Sequence, residues 1–357
     1  MIDDVSSKFR NLTRHSYVTL KQSIKPRLNL TNFEKGILKG DRIVLGQAIT
    51  LMESSLESDQ QLASKLLEKI LPHTGNALRI GITGVPGVGK STFIEALGNK
   101  IIEEGKKVAV LTVDPSSPVT NGSILGDKTR MEELSKNPMA FIRPTASARA
   151  LGGVAQKTRE AMFLCEASGY EVIIVETVGV GQSEVAVKNM VDFFLLLMLA
   201  GAGDELQGIK KGIVEIANAV VVTKADGDNV GRATEAQAIY QQAFHLFSAP
   251  ESGWHPVVLT SSAFTGDGIE DVWKMILKYQ HETKGSGFLD KVRALQNVSW
   301  FHQYFTQLLE DDLQKFSTLK RMKRKLEEAV SSLTISSQVA ARELLEAYHE
   351  SIRGSKP

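Results

Sequence analysis

The chain has 357 residues, enough for one large α/β domain with helical additions or for two modest domains. Its 42 Lys and Arg against 41 Asp and Glu leave it nearly neutral, so the total charge points to neither nucleic acid nor an anionic membrane. A single cysteine, Cys165, excludes an intrachain disulfide and a multi-thiolate metal site, and it fits a reducing compartment such as the cytoplasm.

The opening MIDDVSSKFRNL holds two acids and lacks both an apolar signal core and an acid-free transit pattern, so no cleaved targeting segment is expected. Residues 1–75 read as a helical region. DRIVLGQAITLMESSLESDQQLASKLLEKI places apolar residues three and four apart among good helix formers, the pattern of a layer packed on a main domain. From Leu78 the rhythm changes to short apolar strands alternating with helices, the signature of a mainly parallel sheet covered by helices, and this domain is expected over 76–284. Strands are expected near Leu78–Thr83, Val108–Val113, Met139–Arg143, Val172–Glu176, Asp192–Leu199, Ala219–Thr223 and Pro256–Thr260. Helices are expected at Ser91–Glu104, Gly153–Ala167 and Arg232–Phe247.

The first strand runs into Gly84-Val85-Pro86-Gly87-Val88-Gly89-Lys90-Ser91-Thr92, which fits G-x-x-x-x-G-K-[ST] between a strand and a helix. Glycines let the backbone curl so that successive N–H groups face phosphate oxygens, and the helix start adds its positive end. Lys90 is placed to reach the β and γ phosphates, and the Ser91 hydroxyl to ligate Mg²⁺. Mg²⁺ also calls for carboxylates at strand ends. VAVLTVDPSSP ends one strand with Asp114, and VIIVETVGVGQ ends another with Glu176. Gly179 follows Glu176 at the spacing where nucleotide switches sense the γ phosphate through a backbone N–H.

The longest apolar run, FFLLLMLAGAG from Phe193, is far short of the roughly 20 residues that cross a bilayer, and it reads as a buried parallel strand. VVVTKADGD then delivers Thr223-Lys224-Ala225-Asp226, close to the N-K-x-D element that grips guanine. Asp226 accepts from guanine's ring N–H and exocyclic amine, a pair of donors that adenine lacks. Thr223 stands where Asn is usual, and Asn's amide helps tie this loop to the phosphate loop. LTSSAFTGDGI follows the last strand, with Ser262-Ala263 resembling the backbone clasp on guanine's oxygen. The ligand expected from these residues is GTP or GDP with Mg²⁺. Residues 285–357 read as a helical arm, whose aromatic and Leu positions in VSWFHQYFTQLLEDDLQKFSTLKRMKRKLEEAVSSL share a face that needs covering, by a second copy as in a dimerisation arm or by the chain's own domain.

Six consecutive blocks, GDRIVLGQAITLMES, GITGVPGVGKST, VDPSSPVTNGSILGDKTRM, RPTASARALGGVAQKT, VETVGVGQSE and LAGAGDELQGIKKGI, resemble those of the methylmalonyl-CoA mutase-associated GTPases. These are the chaperones of the B12-dependent mutase, formerly labelled arginine/ornithine transport kinases, and the likeness runs from about residue 40 to 275. The resemblance implies a P-loop GTPase fold and a metal set of Ser91, Asp114, Asp127 and Glu176; Asp127 comes from the resemblance alone. It also implies that GAGDELQGIK relays nucleotide state to the partner, the mutase or a related acyl-CoA mutase. A homodimer through the carboxy-terminal arm and slow hydrolysis accelerated by the mutase complete the picture, with loading of adenosylcobalamin from an adenosyltransferase as the process gated. Two rival functions fare worse on the residues. A nickel-type metal-insertion GTPase needs clustered soft or imidazole ligands, whereas one Cys and seven His are scattered here from His15 to His349. An ATP-dependent transport-associated kinase would leave Asp226 idle.

Overall fold

Alternation of side chains along each strand decides how this chain folds. The computed structural model describes residues 28–113, 131–145, 151–177, 183–200, 211–244 and 250–354. Seven strands, β1 (Leu78–Gly84), β2 (Val108–Val113), β3 (Ala140–Thr145), β4 (Val172–Thr177), β5 (Phe193–Leu199), β6 (Ala219–Thr223) and β7 (Val257–Thr260), form one sheet in the order β3-β2-β4-β1-β5-β6-β7. Every pairing is parallel. Leu78, Ile80, Ile82, Val108, Val110, Ile174, Leu195 and Val221 supply one core. Their neighbours Ala109, Leu111, Ile173, Val175, Phe194, Leu196 and Val220 supply the other. A sheet apolar on both faces needs helices on both, and it has them.

On the first face, α4 (Lys90–Glu103) contributes Phe93, Ile94 and Leu97, and α10 (Ile269–Gly285) contributes Trp273 and Ile276. The second face is covered by α1 (Leu30–Leu38), α2 (Arg42–Glu53), α3 (Glu57–Ile70), α6 (Leu151–Ala167) and α9 (Val230–Phe244). Phe33, Leu45, Ile49 and Leu66 of the amino-terminal helices share that core with Met162 and Leu164 of α6. Asp41 starts α2 by accepting from the N–H groups of Ile43 and Val44 at 2.8 and 3.2 Å, satisfying donors left over at a helix start. Shorter helices α5 (Glu132–Lys136), α7 (Ser183–Lys188) and α8 (Lys211–Ile216) link the strands. At Gly81 an added Cβ would lie 2.9 Å from both Phe194 and Val187, so β1 and α7 pack as closely as a glycine allows.

Beyond Gly285 come α11 (Phe288–Lys315), α12 (Ser317–Ser331) and α13 (Ser337–Gly354). Element ends differ from expectation by a residue or two. The helix expected to reach Phe247 is described to Phe244, its last residues lying outside the described ones. β5 starts at Phe193 rather than Asp192, whose N–H donates to Arg79 O at 2.9 Å and whose carboxylate accepts from Arg79 N–H at 2.9 Å and pairs with Arg293 of α11 at 2.6 Å. Arg293 also donates to Ala77 O at 2.7 Å, and Arg79 pairs with Glu166 at 2.6 Å. The Arg79, Glu166 and Asp192 side chains are at most 4% exposed, so the root of the arm is held by buried charge at the amino ends of β1 and β5. Among the described residues, no helix is long and apolar enough to cross a membrane.

Candidate functional site

The carboxyl ends of β1, β4, β6 and β7 converge on one edge of the sheet, where an open parallel α/β sheet offers its crevice. Between β1 and α4 the loop turns through Gly87 and Gly89 at φ +80° and +93°, a region that disfavours side chains. A Cβ on Gly84 would lie 2.6 Å from Leu197 O, so β5 also demands glycine there. Val88 is fully buried and pins the loop to the core, while Pro86, Gly87 and Thr92 are exposed and Val85 is half-buried. Lys90 folds its ammonium back onto the loop, donating to Gly84 O at 2.8 Å and Val85 O at 3.3 Å. These are contacts to neutral carbonyls, which phosphate oxygens can replace.

Ser91 Oγ donates to Glu176 Oε1 at 3.2 Å. Glu176 sits beside Ile82 in the parallel register, on the strand next to the one that feeds the loop, and is 4% exposed. A hydroxyl and a carboxylate oxygen at the mouth of a phosphate loop are hard donors of the kind Mg²⁺ takes, so the residues present fit that ion. Among the described residues no three His, Cys, Asp or Glu side chains gather as a metal set. Asp114, Asp127 and Gly179 lie outside the described residues. One residue on from Glu176, Thr177 donates to Thr83 at 2.7 Å, a buried hydroxyl pair tying β4 to β1.

The base-reading segment adjoins the phosphate loop. Thr223 Oγ1 donates to Val88 O at 2.8 Å, with Met198 O a second acceptor at 3.2 Å. A threonine thus makes the tie to the phosphate loop through its hydroxyl. Lys224 takes φ +57°, stretches across the loop and donates to Gly87 O at 2.9 Å. Asn229 holds the Lys224 carbonyl at 2.7 Å. Asp226, half-buried, receives the Ser262 hydroxyl through Oδ2, which leaves Oδ1 for a ligand. The next loop is laid alongside by Ala225 N–H to Ser261 O at 3.1 Å, and it is closed by Ser261 and Ser262 onto Asp267 O. Ala263 follows, half-buried.

Lys90, Ser91, Glu176, Thr223, Lys224, Asp226 and Ser262 therefore share one edge of the sheet. Sequence reasoning missed Asn229 and Asp267, which touch no expected ligand group and only shape the two loops. Their signals were faint: an Asn after ADGD, and an Asp between Gly266 and Gly268. Cys165 plays no part here, being buried with its thiol pKa pushed up by desolvation.

Residues 45–318 match the family model described as methylmalonyl Co-A mutase-associated GTPase MeaB. The chain is 48% identical over 308 residues to the GTPase ArgK of Escherichia coli, covering 86% of this chain and 93% of that one. It is 42% identical over 323 residues to the mitochondrial methylmalonic aciduria type A homolog of Mus musculus, covering 88% and 78%. Among solved structures, an LAO/AO transport system kinase superposes with a TM-score of 0.71 at 40% identity, covering 90% of this chain and 97% of that one.

Proposed function

This chain belongs to the methylmalonyl-CoA mutase-associated GTPases, and from that premise we propose that it is a guanine-nucleotide switch acting on an adenosylcobalamin-dependent acyl-CoA mutase. Its reaction is the hydrolysis of GTP. The observation that carries the reading is the double tie between base loop and phosphate loop, Thr223 to Val88 O and Lys224 to Gly87 O. Whatever reads the base is thereby coupled to whatever holds the phosphates.

The roles of the residues follow from their chemistry. Loop N–H groups and Lys90 take the phosphate charge, the ammonium leaving its carbonyl acceptors for phosphate oxygens. Ser91 and Glu176, with Asp114 and Asp127, would hold Mg²⁺, which would supply positive charge against the phosphates. Asp226, oriented by Ser262, accepts the paired donors of guanine, and Ala263 lies where a backbone N–H meets its oxygen. Gly179 reports the γ phosphate through its N–H.

The partner reading extends this site outward, in the cytoplasm. Nucleotide state passes to the mutase, gating its loading with adenosylcobalamin by an adenosyltransferase, with hydrolysis slow until the mutase binds. The arm from 285 onward, beside the 1–75 helical layer and the 76–284 GTPase unit, joins two copies. Its support is an exposed apolar stripe on α11: Leu295, Val298, Phe301, Phe305 and Leu308, spaced three or four apart over roughly 20 Å.

Hydrolysis of GTP and ATP, measured with and without purified methylmalonyl-CoA mutase, tests the whole. GTP turnover that the mutase accelerates and that Lys90→Ala abolishes is expected. Equal use of ATP would overturn the base assignment, and indifference to the mutase would overturn the partner.

A further inference from the structure

At the amino ends of β5 and β6, away from the phosphate loop, α7 and α8 flank a cavity of about 270 Å³. Lys188, the last residue of α7, lines it and is half-buried. Its Nζ donates to Asn218 Oδ1 at 2.8 Å, a neutral acceptor that also receives Phe194 N–H at 2.9 Å. Trp254, Tyr279 and Phe288 give the wall its apolar character. Trp254 is held edge-on against Tyr279, ring centres 5.4 Å apart, and donates through Nε1 to Asn218 O at 2.9 Å. The nearby acid Asp192 is committed to Arg293. Lys188 is thus an amine in a partly apolar cavity, held by one neutral hydrogen bond, where desolvation disfavours the ammonium form. Burial draws its pKa down to about 8, against the opposing charge of Asp192, and the Tyr279 phenol, pushed up by burial, stays neutral.

We propose that Lys188 is a site of covalent acylation by coenzyme A thioesters carrying short, uncharged acyl groups. The neutral amine's lone pair attacks the thioester carbonyl carbon. A C–N bond forms, the C–S bond breaks, and the thiol leaves carrying the proton lost from nitrogen. The products are an amide on Lys188 and free coenzyme A, with no oxidant or reductant required. The cavity accommodates a short chain, and of the acids on its wall Asp192 and Glu251 are paired with Arg293 and Lys291, which leaves Glu215 to disfavour a dicarboxylic acyl group.

The position gives the modification a consequence. Helix α7 follows residues 178–182, α8 follows residues 201–210, and the Lys188–Asn218 bond joins the end of one helix to the strand entry just beyond the other. Acylation removes the charge and wedges a new group between them. The supply of thioester rests on the acyl-CoA mutase partnership proposed above, whereas the chemistry at Lys188 does not. A chain that acylates at Lys188 yet ignores the mutase would separate the two.

The test is peptide-mapping mass spectrometry of the full-length protein incubated with acetyl-CoA, and in parallel with succinyl-CoA, from pH 6.5 to 9. The exposed Lys320 and Lys323 serve as internal references. Lys188 is expected to gain acetyl about tenfold faster than either at neutral pH, with labelling that rises through pH 8 and lags with succinyl-CoA. Lys188→Arg should delete that adduct and leave the others. Labelling of Lys188 no faster than Lys320 in the unaltered protein would overturn the proposal, whether or not the variant folds.

Discussion

The two ends of the sheet are built on opposite principles. At the carboxyl ends, Lys90 rests on loop carbonyls and Ser91 on Glu176, contacts that a phosphate or a metal ion can take over. At the amino ends, Arg79, Glu166, Asp192 and Arg293 form two buried ion pairs at 2.6 Å, backed by Gly75 N–H to Glu166 and by the Ala77 carbonyl. One end is arranged for exchange and the other against it. A sheet clamped at its base lets a change of ligand at its tip move loops rather than the platform, and the clamp includes the root of the arm.

The contrast can be broken from either end. The largest effect is expected at the tip: Asp226→Ala should lower the preference for GTP over ATP by a factor on the order of 10⁴, since the carboxylate is what guanine's donors require. Competition binding of the two nucleotides checks it, and a small change would mean that the base is read elsewhere. At the base, Asp192→Ala leaves Arg293 and the Arg79 N–H facing a hole, and denaturant unfolding should show a loss of about 3–5 kcal/mol with nucleotide selectivity unchanged. If selectivity fell with stability, the two ends would not be separate.

Finer changes sharpen the picture. Thr223→Val keeps shape but strands the Val88 carbonyl, which should cost about 1–3 kcal/mol and weaken nucleotide binding, with Thr223→Ser restoring both. A last effect is a pH signature. Lys188 titrates at about 8 when folded against 10.5 ordinarily, so the native state binds fewer protons between those values and its stability rises with pH there. Below pH 8 the cost of burying the ammonium is present in full. Lys188→Met should therefore raise the melting temperature most below pH 8, the gain fading towards pH 10.5, and a gain independent of pH would point to packing instead.

Much of this was legible because it is local. Short apolar runs between helical stretches placed the seven strands to within a residue or two, and the glycines at 84, 87 and 89 marked the phosphate loop through the backbone they permit. Nothing beside Asp192 in the sequence reveals its partner Arg293. In the sequence Thr223 is only a departure from the usual Asn. In the fold its hydroxyl reaches Val88 O, an acceptor 135 residues away that only the packing of β6 against the loop brings near.

The sequence by itself determined the family, the helix-covered parallel sheet and the chemical type of the nucleotide edge, since these follow from periodicity, turn glycines and short motifs that act within a few residues of chain. Tertiary structure alone decided which groups meet. Ser91 and Glu176 are 85 residues apart and Arg293 and Asp192 are 101 apart. Such partners are chosen by strand order and register, and therefore by the burial of whole faces rather than by any local preference.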